Sequence, residues 1–83
     1  MPVDTLTLVR QAEPDLPLRD LDRVALTAAA VTDDGDRIEA GRQGTIVGIW
    51  REGAAYEVEF ADPPGSLATV EAGHLRLVEH GPA

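Results

Sequence analysis

The sequence predicts an all-β fold: a small five-stranded barrel with a short 3₁₀ turn before its last strand and an N-terminal arm. Three observations carry that expectation. Residues 41–60 read as two β-type runs around the polar stretch Arg51-Glu52-Gly53-Ala54. In the second run Tyr56, Val58 and Phe60 alternate with Glu57 and Glu59, as a strand with one buried and one wet face must. Asp62-Pro63-Pro64-Gly65 then supplies the turn chemistry that starts a further strand. A lone hairpin is marginal in water, so these runs must close against others. The 83 residues allow one domain, which buries only about 60% of the surface its unfolded chain exposes.

Residues 1–17 form the arm. Val3, Leu6, Leu8 and Val9 fit an edge strand or a short helix capped by Asp4, and Pro14 and Pro17 end either one. The barrel domain is expected over residues 18–80. Leu18 and Leu21 lead into Asp22-Arg23-Val24-Ala25-Leu26-Thr27, where Val24 and Leu26 share a face, which makes a first strand. Thr32-Asp33-Asp34-Gly35-Asp36 is loop chemistry, so residues 32–40 read as a long polar excursion of the kind that sits over a binding face.

In the second strand Ile46, Val47 and Ile49 cannot all point inward by strict alternation. A two-residue Glu52-Gly53 turn sets Trp50 opposite Ala55, Ile49 opposite Tyr56 and Val47 opposite Val58, which puts Val47, Ile49, Tyr56 and Val58 on the core face. A bulge at Val47-Gly48 would turn Ile46 inward as well and bend the strand. Residues 67–70 make the fourth strand and 76–78 the fifth. The link Glu71-Ala72-Gly73-His74-Leu75 is too short for an α-helix and reads as a 3₁₀ turn delivering Leu75 to the barrel mouth. Five strands, one long loop, three tight connections and a terminal 3₁₀ turn describe an SH3-like barrel.

Four stretches carry a family resemblance: Leu21-Asp22-Arg23-Val24-Ala25-Leu26-Thr27, Ala40-Gly41-Arg42-Gln43-Gly44-Thr45-Ile46-Val47, Ala55-Tyr56-Glu57-Val58-Glu59-Phe60, and Ala68-Thr69-Val70-Glu71 through Leu75-Arg76. Over residues 18–78 the chain resembles the small bacterial domain-of-unknown-function family DUF4926. The resemblance implies a barrel like that of the nitrile hydratase β subunit, and a Gly-Thr-hydrophobic-hydrophobic strand shared with KOW modules. It also implies an antitoxin- or immunity-like role beside toxin-like neighbours. The motifs are specific for fold and not for activity, and this chain departs from the pattern by an extra loop segment at residues 32–37 and by its arm.

The formal charge is −8, from fifteen acids spread along the chain against seven bases, all of them arginine. Nucleic-acid binding neutralises phosphates with clustered Lys and Arg, and Arg37, Arg42 and Arg51 are separated and accompanied by carboxylates. The surface suits a basic protein partner, or simply keeps a small domain soluble. No cysteine is present, which excludes disulfides, thiolate zinc sites and cysteine nucleophiles together. No apolar run has the length of a membrane span, and the N-terminus carries Asp4 without a basic start, so a cytoplasmic protein with no membrane or nucleic-acid partner is expected. The oligomeric state stays open, self-association included.

Trp50, the sole tryptophan, falls near the hairpin tip on the face opposite Val47 and Ile49, beside Arg51. An exposed Trp next to Arg is a common interface anchor; the alternative is that Leu6 or Leu8 of the arm covers it. Glu57 and Glu59 on the outer strand face, with Asp33, Asp34 and Asp36 of the loop, would steer a basic partner. Asp33-Asp34-Gly35-Asp36 lacks the alternating ligand spacing of a calcium loop. His74 and His80 have no third strong ligand. Ser66 sits in a turn away from any histidine motif, and Gly41 and Gly44 precede a strand where a phosphate loop needs a helix. The expectation is a non-enzymatic protein-binding module without catalytic residues, cofactor or metal, with Trp50, Arg51, Glu57, Glu59, Asp33, Asp34 and Asp36 at the partner surface. The alternatives are an accessory subunit of an enzyme assembly and, less well matched by charge, KOW-type nucleic-acid binding.

Overall fold

The computed structural model describes residues 18–82, so the arm and its packing over Trp50 lie outside the described residues. In chain order the elements are β1 (Arg23–Leu26), β2 (Ala30–Val31), β3 (Arg37–Ile38), β4 (Gln43–Trp50), β5 (Ala55–Phe60), β6 (Ser66–Glu71), a 3₁₀ turn (Ala72–His74) and β7 (Leu75–Glu79). Five of these form an antiparallel sheet ordered β6-β5-β4-β1-β7, and β2 and β3 form a separate two-stranded sheet.

The all-β class and the 3₁₀ turn before the last strand hold, and the closed five-stranded barrel does not. Among the described residues there are seven strands, and the outer strands β6 and β7 share no ladder. The 3₁₀ turn joins β6 to β7 without reversing the chain, and β7 pairs with β1 at the far end of the strand order.

The two extra strands come from the stretch expected to be a polar excursion over residues 32–40. Ala30 pairs with Ile38 and Val31 with Arg37. Thr32 closes the turn: its N–H donates to the Asp36 carbonyl at 2.8 Å, and its Oγ1 accepts the Asp36 N–H at 3.0 Å. Ile38 enters the core at 1% exposure. The Asp33 N–H donates to the Leu67 carbonyl at 2.8 Å, which ties this hairpin to the outer edge of β6.

The central hairpin carries the expected bulge. Thr45 faces Glu59 and Ile46 faces Val58; the register then shifts so that Gly48 faces Glu57, Ile49 faces Tyr56 and Trp50 faces Ala55. The extra residue is Val47. Ile46 is therefore the buried member of the pair, at 0% exposure, while Val47 and Ile49, both expected in the core, are 41% and 46% exposed, Ile49 uncovered although it pairs with the buried Tyr56. β1 pairs only with residues 43–45 of β4, so the second half of β4 has a neighbour on one side alone and its side chains meet water.

The core is Leu18, Val24, Leu26, Ile38, Ile46, Tyr56, Val58, Phe60, Ala68 and Val70, with Ala30, Ala72, Leu75 and Leu77 packed on it. Tyr56 and Phe60 are both 1% exposed, as their alternation with the glutamates demands. A fully buried carboxylate, Asp22, closes the end where the chain enters and leaves the sheet. Its Oδ2 accepts the Arg19 N–H at 2.8 Å and its Oδ1 accepts the Gly81 N–H at 2.8 Å, with His80 Nδ1 3.4 Å away. No helix among the described residues is long and apolar enough to cross a membrane.

Candidate partner-binding groove

Strand registry lays three residues side by side across the outer face: Trp50 of β4 opposite Ala55 of β5, and Ala55 opposite Glu71 of β6. The next row inward along the strands is Gly48, Glu57 and Thr69. The small residues in these rows make a depression. A groove of about 680 Å³ is lined by Trp50, Arg51, Ala54, Ala55, Thr69, Glu71, Ala72 and Gly73.

Trp50 is 53% exposed, yet its indole is held. The ring N–H donates to Glu57 Oε1 at 3.4 Å, and the Thr69 hydroxyl donates to the same oxygen at 2.9 Å. Gly48 lies between Trp50 and Glu57 in the cross-strand pattern, and a Cβ there would come within 3.2 Å of the Glu57 Cβ. The missing side chain leaves the indole room to lean back on Glu57. Glu57 thus acts as a brace for Trp50.

The hairpin tip that carries Arg51 is bent tightly. Arg51 and Glu52 have φ of 51° and 59°, a left-handed region that costs an L-residue about 1–2 kcal/mol each. The Trp50 carbonyl accepts from both Gly53 N–H, at 3.0 Å, and Ala54 N–H, at 3.1 Å, which fastens the turn over four residues where the sequence suggested two. The Ala72 N–H donates to the Ala54 carbonyl at 3.0 Å, joining this tip to the 3₁₀ turn across the end of the groove. Glu52→Gly is expected to raise stability by about 0.5–1 kcal/mol, read as a higher urea midpoint with unchanged slope, by relieving one left-handed side chain.

Of the residues expected at a partner surface, the structure brings together Trp50, Arg51 and Glu57. Glu59 lies one row further along, opposite Thr45 and Leu67, outside the groove lining. Asp33, Asp34 and Asp36 are exposed on the β2–β3 turn, which is anchored at Leu67. Leu67 and Glu71 are four residues apart on β6, roughly 13 Å, so these aspartates stand at the opposite end of the sheet from Trp50. Ala54, Ala55, Thr69, Glu71, Ala72 and Gly73 were not anticipated. The signal for two of them was present: with Ala68 and Val70 inward, Thr69 and Glu71 must share the outer face with Glu57.

Among the described residues no group of three or more His, Cys, Asp or Glu side chains is placed to hold a metal ion. The groove offers an indole face, one carboxylate, that of Glu71, and a guanidinium above a floor of methyl groups. The family profile for DUF4926, a domain of unknown function, matches residues 20–75, more than half of the chain. The chain belongs to the DUF4926 family. No curated protein and no solved structure matches it. The DUF4926 region contains every residue that lines the groove and ends before His80 and Gly81, so the contacts those two make with Asp22 are completed from outside it.

Proposed function

We propose that this DUF4926 domain is a non-enzymatic protein-binding module that docks a basic partner on the outer face of its sheet, in the manner of an antitoxin or immunity protein. One observation carries the reading: a half-exposed tryptophan, its indole N–H on the Glu57 carboxylate that Thr69 also holds, stands over a groove floored by small residues. Pre-ordered aromatic side chains above a pocket are the usual centres of binding energy, because little rotamer freedom remains to be lost on association. The charge of −8 supports a basic partner. Remote acids such as Asp33, Asp34, Asp36 and Glu59 would then act on the rate of encounter more than on the lifetime of the complex.

The test is capture from native lysate on immobilised protein, with Trp50→Ala alongside. The wild type is expected to retain a stoichiometric partner in low salt and Trp50→Ala to lose it while keeping the wild-type circular dichroism. A partner held equally by both proteins would refute docking at this groove. With the purified partner, Asp33→Asn/Asp34→Asn/Asp36→Asn is expected to lower the association rate about two- to tenfold at low ionic strength and to leave the dissociation rate within twofold, as stopped-flow fluorescence would report.

A further inference from the structure

We infer that the groove is a slot for one cationic side chain, arginine or lysine, presented by the partner; this rests on the docking reading above and names what that docking recognises. The order Trp50, Ala55, Glu71 across three adjacent strands is the basis. Neighbouring strands lie about 4.8 Å apart, so the backbones of Trp50 and Glu71 stand roughly 10 Å apart with a single methyl group between them. That gap has an aromatic wall, an apolar floor and a carboxylate wall. Ala54 and Ala72 end it, joined through the hydrogen bond between their backbones, and Gly73 adds no side chain.

A cationic side chain needs those walls together. Its aliphatic stem gains from lying on methyl groups and an indole face, and its charged head gains from a π surface and a carboxylate. The two glutamates differ in what they can offer. Glu57 is engaged, its Oε1 accepting from both Trp50 and Thr69. Glu71 takes part in no side-chain hydrogen bond or ion pair among the described residues, and it lines the groove. An incoming carboxylate would meet Glu71 and the charge behind Trp50. A neutral side chain would leave Glu71 unanswered. Arg51, at the tip, is the one cation in the lining and opposes the proposed ligand, so its removal strengthens binding.

The probe is the blocked peptide acetyl-Gly-Gly-Arg-Gly-Gly-amide, titrated into ¹⁵N-labelled full-length protein and compared with the same peptide carrying norleucine or glutamate in place of arginine. The arginine peptide is expected to shift the Trp50 indole N–H and the amides of Ala55, Ala72 and Gly73 along a saturable curve. The norleucine peptide should bind at least about fivefold more weakly and the glutamate peptide not at all. Glu71→Gln, isosteric at an exposed position, should weaken the arginine peptide about threefold or more, and Arg51→Ala should tighten it. Equal binding of the arginine and norleucine peptides, or an affinity indifferent to Glu71→Gln, overturns the slot. The two readings fail separately. A lysate partner lost on Trp50→Ala, with no peptide response, leaves the docking face standing and removes the cation slot. A peptide that titrates as expected, with lysate capture indifferent to Trp50, does the reverse.

Discussion

Asp22→Ala is expected to destabilise the domain by about 3 kcal/mol in urea unfolding at pH 7. The side chain is fully buried, and it accepts from two part-buried backbone donors, Arg19 N–H and Gly81 N–H, each at 2.8 Å. Alanine removes the acceptor of both donors at once, breaking two charge-assisted hydrogen bonds, and leaves a gap where the buried carboxylate packed. Asp22→Asn keeps the volume and one acceptor but presents an amide N–H₂ to a site built of donors, so an intermediate loss is expected. The pH dependence follows. Burial pushes the Asp22 carboxyl upward, but the hydrogen bonds from Gly81, Arg19 and His80 outweigh it, and the group titrates below its ordinary 3.8. A carboxyl that is more acidic folded than unfolded adds stability at every pH above the unfolded value, and that contribution disappears as the pH falls through the folded value. The gap between wild type and Asp22→Ala should therefore be widest near neutrality and should narrow below about pH 4, and a gap that stays constant down to pH 2 would refute the assignment. Gly81→Ala should move stability in the same direction, since a Cβ there would run into the Leu21 carbonyl. The two substitutions break one clasp and should be strongly non-additive.

That clasp was invisible in the sequence because it joins residues nearly sixty positions apart, and nothing local to Asp22 distinguishes it from the chain's other fourteen acids. What was legible was short-range and periodic. The Tyr56, Val58, Phe60 alternation fixed one strand and its buried face, and the crowding of Ile46, Val47 and Ile49 on one strand pointed to the bulge at Val47-Gly48. The same reasoning misjudged Val47 and Ile49, since alternation states which residues share a face and not whether a neighbouring strand reaches far enough to cover it. β2 and β3 were missed because two residues per strand are too few to show a period, and the Asp-rich turn between them has the composition of open loop. Closure into a barrel was expected from the number of strands, but a strand count does not say which edges pair, and the edge strands β6 and β7 do not. For the groove, Trp50 was found by being the only tryptophan, whereas Ala55 and Glu71 acquire meaning only through registry.

Gly44→Ala is expected to cost about 2–4 kcal/mol, at the upper end for a single added methyl group. Gly44 sits on the buried face of β4, where the strand is flanked by β1 and β5 and cannot shift without taking a neighbour with it. A Cβ at this position would lie 2.6 Å from Val58 Cγ1, 2.8 Å from the Glu59 carbonyl oxygen and 3.0 Å from Phe60 Cδ1. Val58 and Phe60 are fully packed, and the carbonyl is backbone, so none of the three can turn aside in a core filled to crystalline density. The methyl group must therefore push β4 and β5 apart. Gly73→Ala is the matched control: a Cβ there meets nothing within 4 Å, and thermal unfolding should stay within about 0.5 kcal/mol of wild type. The contrast separates two explanations for glycine in this fold. Restricting the unfolded chain would make both substitutions mildly stabilising, so an equal cost at the two sites would refute close approach as the cause; if only Gly44→Ala is costly, the cause is the close approach of β5. The second outcome would also relate core to site, because β5 holds Ala55 and Glu57 in register with Trp50. A strand displaced at Val58 would move the Glu57 brace, so Gly44→Ala should broaden the Trp50 indole N–H resonance in a way that Gly73→Ala does not.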